Sequence, residues 1–109
     1  MLGANDSKDG NWNGRSCSAR FEADMQYLFG SLTNLGTTVF ASYAPAVDTS
    51  IPCCGINDAV VQLQQPMINN AAVATGSIVL DTHAFTESHT VSSGCGLTEP
   101  CWYTDGVRK

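Results

Sequence analysis

Charge is what this chain has least of. Lys and Arg number 5 against 10 Asp and Glu, and charged residues make up 14% of the 109 positions, where an average soluble domain has about 25%. The net charge of −5 and the scatter of Lys8, Arg15, Arg20, Arg108 and Lys109 argue against a phosphate-binding surface, which needs clustered cations. Neither nucleic acid nor an anionic membrane surface is an expected partner. No apolar run approaches the ~20 residues of a spanning helix, so no membrane insertion is expected. No charged-then-apolar leader follows Met1; if the chain is exported, its signal has already been removed. There is no G-x-S-x-G, no cysteine-protease signature and no nucleotide-binding motif, so no cofactor is expected.

What is abundant is neutral and polar: Asn, Gly, Ser and Thr. A chain kept in solution this way fits an extracellular or cell-surface setting better than a cytoplasmic one, which stands as the alternative. Its length allows one domain with one modest core, burying roughly two-thirds of the unfolded surface. Residues 3–16 hold small and polar residues around a single aromatic, Trp12, so that 1–16 reads as a polar N-terminal arm in front of a single domain over 17–109. A groove for Trp12, a bridge at Cys17 or a neighbouring subunit would hold such an arm in place. Self-association through it is the expected partnership. Asn5-Asp6-Ser7 also matches the glycosylation sequon.

One long periodic signal organises the domain. Phe21, Met25, Leu28, Leu32, Leu35 and Val39 recur at helical spacing, which predicts an amphipathic helix from about Ser18 to Leu35. Ser16 or Ser18 serves as N-cap, and Gly36 is the left-handed residue after the end. Thr37–Tyr43 is β-branched and reads as a strand, and residues 45–55 read as a loop. Further strands are expected over Asp58–Gln64, stopped by Pro66, then over Ala72–Leu80 and His83–Val91, with a short one near Trp102. The expected fold class is therefore α+β, one N-terminal amphipathic helix packed on an antiparallel sheet of about four strands. In element order, with a cysteine-closed loop near the C-terminus, this is similar to type IV pilin head domains. The chain lacks their apolar N-terminal half-helix and matches no stretch of their motif, so the likeness is one of architecture and assigns no function.

The cysteines are the most specific feature. Cys95 and Cys101 enclose a loop of Gly, Leu, Thr, Glu and Pro that can bring two chain ends to bonding distance, so a disulfide is expected there. Cys53 and Cys54 are adjacent and strained against bonding each other; one of them reaches Cys17. One cysteine of the five is then left over, available to another chain. Zinc fits less well, because neither C-x₅-C nor an adjacent pair matches structural-zinc spacing, and no metal is expected.

Asp81, His83, Glu87 and His89 would share one face of a strand, forming a pocket able to supply a general base beside a carboxylate. His83 and His89 would lie ~20 Å apart along it, too far to share an ion. The plainer reading is the solvent face of an edge strand. A Cys95, His89, Glu87 triad can be written down but lies in one local stretch, which is not how such triads usually form. Trp12, Trp102 and Tyr103 are the aromatics with interface or sugar-stacking character.

These features give three expectations. The first is a non-enzymatic structural or adhesive subunit of an extracytoplasmic homo-oligomer or filament. The second is a small intracellular enzyme or ligand-binding protein using the His83, Glu87 and His89 pocket. The third is a secreted carbohydrate-binding module.

Overall fold

The computed structural model describes residues 3–8, 10–15, 18–48, 55–96 and 100–102. Cys17, Cys53, Cys54 and Tyr103 lie outside the described residues, and with them the expected bridge from Cys17.

Helix α1 runs over Phe21–Thr33, after a 3₁₀ turn at Ser18–Arg20. Phe21, Met25 and Phe29 form its buried stripe, at the i, i+4 and i+8 positions that one helix face requires. Glu22 and Asp24 stand in its first turn, next to the positive end of the dipole. The N-cap position is Arg20, without a side-chain cap, in place of the expected serine. Gly36 has φ +80°, the left-handed conformation that favours glycine after a helix.

The expected antiparallel sheet of about four strands is not formed. Among the described residues there are two strands, β1 (Phe40–Ser42) and β2 (Ile78–Leu80), paired parallel with Phe40 opposite Ile78 and Ser42 opposite Leu80. Helix α2, Asp58–Thr75, joins them. Its 18 residues span about 27 Å, absorbing the expected strand over Asp58–Gln64 and the first part of the one over Ala72–Leu80, whose end survives as β2. The Asn57 side chain caps it, accepting from the N–H groups of Ala59 and Val60, and Gly76 ends it at φ +70°. Pro66 sits inside the helix without ending it. The buried positions Val60, Val61, Gln64, Ile68, Ala71 and Ala72 repeat with helical period; Val60, Ile68, Ala71 and Ala72 join the core with α1 and β1, while Val61 packs with Ala4 and Ala44. The expected strand over His83–Val91 is also replaced, by helix α3 (Thr82–Glu87) and a 3₁₀ turn at Val91–Ser93. Asp81 caps α3 by accepting from the Ala84 N–H. With the sheet goes the likeness to pilin heads.

The core gathers Trp12, Phe21, Met25, Phe29, Ala41, Val60, Ile68, Ala71 and Ala72, so α1, α2 and the inner face of β1 meet in one apolar layer. Residues 3–8 and Trp12 close one side of it. Gly3, Ala4 and Ser7 are buried; the Gln64 side chain donates to the Gly3 carbonyl at 2.9 Å and the Asn57 N–H donates to Ser7 Oγ. Trp12 packs edge-on against Phe21, ring centroids 5.5 Å apart. The chain leaving β1 is fastened to α2 and α3: Ala46 N–H donates to Thr86 Oγ1, Val47 N–H to Asp58 and Val91 N–H to Asp48.

Candidate functional site

The four residues expected to share a strand face are dispersed by α3. Asp81 is an N-cap, Glu87 is exposed, and the two histidines have different partners. His83 is buried and bonds through Nε2 to Asp58 Oδ1 at 3.0 Å. Asp58 also accepts from the Val47 N–H at 3.0 Å and from the Gln62 amide at 2.7 Å. Burial pushes its carboxyl up, but the bonds from Val47, Gln62 and His83, together with the charge of His83, outweigh this and hold it below the ordinary value of 3.8. A carboxylate beside an imidazole is the arrangement of a general-base pair. Here both oxygens of Asp58 are engaged by donors from three places in the chain, so the pair pins α3 and the β1 exit to the start of α2. Asp58 was read as part of a strand; the N-cap pattern of Asn57 was the signal that would have placed it in a first helical turn.

His89 is buried near the C-terminal end of the described chain. Its Nδ1 lies 2.7 Å from the Pro100 carbonyl, and its ring stacks on Trp102 with centroids 3.3 Å apart and planes 3° from parallel. Phe85 lies 5.6 Å from the same indole. Cys95 and Cys101 stand at disulfide distance, with Cα atoms 5.1 Å apart, inside the range a bridge requires. This cysteine pair places Trp102 next in sequence to a fixed point and therefore over His89. Trp12 belongs to the core and Trp102 to this local cluster, so the structure does not bring them together. Among the described residues no three His, Cys, Asp or Glu side chains converge as a metal site.

The surface with unmet physical demands is the sheet. Ala41 and Val79 face the helices, while Phe40, Ile78 and Leu80 face outward, 59%, 47% and 45% exposed. Parallel strands are normally covered on both faces, and here, among the described residues, the outer face is left about half exposed. Beside β1 lies a cavity of about 190 Å³ lined by Met25, Phe29, Phe40, Ala41, Ser42 and Ile68. On α1, Leu28 and Leu32 are exposed as well. The sequence signal for this site was present in the apolar run Ile78-Val79-Leu80, which lacks the alternation of a half-solvated strand. No family model, no curated protein and no solved structure matches the chain.

Proposed function

We propose that the chain is a non-enzymatic structural subunit of an extracytoplasmic assembly, and that its copies associate through the outer face of the β1 and β2 sheet. The observation that carries this reading is the row of Phe40, Ile78 and Leu80 exposed on a parallel sheet. With about half of each side chain still exposed, covering it gains about half of the roughly 1.5–3 kcal/mol of full burial, which favours a partner surface over solvent. Cys95 and Cys101 at disulfide distance support an oxidising compartment. The sheet replaces the N-terminal arm as the proposed interface, because Gly3, Ala4, Ser7 and Trp12 are engaged by this chain's own core.

Sedimentation across a dilution series tests the reading. Wild-type protein is expected to associate with concentration, and Phe40→Asp to sediment as a monomer of 11.5 kDa with an unchanged circular dichroism spectrum. A wild-type monomer at every concentration, with and without reductant, overturns it.

A further inference from the structure

We infer that the free edge of β1 accepts one extended apolar strand from another polypeptide, with a large apolar side chain of that strand seated in the cavity between α1, α2 and β1. This goes beyond the assembly reading: the contact is a distinct one, and its partner is not a second copy.

The edge is available by register. Ile78 N–H donates to the Val39 carbonyl and Tyr43 N–H to the Leu80 carbonyl, so the odd-numbered residues of this stretch bond to β2. The N–H and C=O groups of Phe40 and Ser42 therefore point to the opposite side, where an added strand would meet them.

The space under that strand is also set. Two packed helices of ~10 Å diameter form a layer roughly 20 Å wide, whereas two strands at ~4.8 Å spacing cover only about 10 Å. The helix layer therefore overhangs the sheet. The overhang is on the β1 side: the cavity is walled by all three β1 residues, by Met25 and Phe29 of α1 and by Ile68 of α2, and by none of β2. Its ~190 Å³ exceeds the ~150 Å³ of an apolar cavity that takes up benzene, so it accommodates an aromatic or branched aliphatic side chain. Strand addition with alternate side chains filling pockets is a known mode of peptide recognition.

The chemistry of the occupant follows from the lining. No charged residue contributes to the cavity, so the inward side chain must be neutral and apolar. Outward side chains of the strand would lie beside Phe40 and extend the apolar face. A strand of a second copy is disfavoured, because β1 and β2 of any copy carry their own helices on the inner face, where α1 already overhangs. A single strand without a helix layer fits.

Fluorescence anisotropy with a labelled heptapeptide, Thr-Val-Thr-Leu-Thr-Val-Thr, tests this on the intact chain at concentrations below its self-association. Saturable one-to-one binding is expected, with slowed hydrogen exchange at the Phe40 and Ser42 amides. Affinity should fall at least about tenfold when the central Leu of the peptide is replaced by Asp, a change that leaves the protein itself untouched. Ser42→Pro, which removes an edge donor, should lower it similarly. No saturable binding up to about 1 mM, equal affinity for the Asp peptide, or protection on the β2 edge instead overturns the proposal. A chain that binds the peptide but never self-associates would remove the proposed assembly and leave the strand site standing.

Discussion

Asp58 answers to three donors at once, so its ionisation is tied to folding. Its pKa is depressed in the folded chain, so its contribution to stability is present above the ordinary value of 3.8 and is lost as the pH falls through the lower folded value. Urea midpoints measured from pH 5 downwards should therefore drop more steeply below pH 3.8 for the wild type than for Asp58→Asn. A parallel decline in the two would show that other carboxylates dominate acid unfolding. At neutral pH, Asp58→Ala should cost about 1–3 kcal/mol, since it leaves the buried His83 and the Val47 N–H without their acceptor. Gly3 is a second position where one atom matters. Its φ is +88°, and a Cβ there would lie 2.7 Å from Gln64 Oε1. Gly3→Ala should destabilise by about 1–3 kcal/mol in chemical denaturation.

Helix α2 decides the fold class. It was hidden by three local signals: Pro66 reads as a stop, Asn69-Asn70 as a turn, and Gln64 places an amide on the buried face. Tertiary packing overrides each of them. Pro66 is exposed on the far side of the helix, and Gln64 is held by the Gly3 carbonyl. Two substitutions measure the balance. Asn57→Ala removes both cap bonds and should cost about 1 kcal/mol. Pro66→Ala restores a backbone donor in the helix interior and should stabilise by about 1–3 kcal/mol; a loss of stability would mean that the proline's restriction of the unfolded chain outweighs the missing donor. Helix α1 was legible from the spacing of Phe21, Met25, Leu28, Leu32 and Leu35, although its buried stripe is Phe21, Met25 and Phe29 while Leu28, Leu32 and Leu35 are exposed. Helix α3 was not, because six residues are too few to show a period and Thr and Phe favour strands.

At the scale of the whole molecule, the cysteine pair closes the described chain around His89 and Trp102. Reduction of Cys95–Cys101 by a small dithiol is expected to lower stability by about 2 kcal/mol. It should also shift the indole fluorescence as Trp102 leaves His89, with Trp12→Phe used to isolate that signal. Unchanged emission after complete reduction would show that the stack holds without the bridge. The half-exposed sheet face has the larger consequence. A two-stranded parallel sheet is a fragment of a layered architecture, and both proposed contacts complete it, one over its face and one along its β1 edge.

The sequence by itself determined the low charge, the amphipathic α1, the left-handed Gly36 and the nearness of Cys95 to Cys101, because each depends on composition or on residues close in the chain. It did not determine that the strands are parallel, that Asp58 meets His83 or that Gly3 and Ala4 pack on α2. Those depend on which faces meet across separations of 25 to 61 residues, and no local spacing encodes them. Only the tertiary structure decided that β1 and β2 pair with one face on the helices and the other, among the described residues, left half exposed.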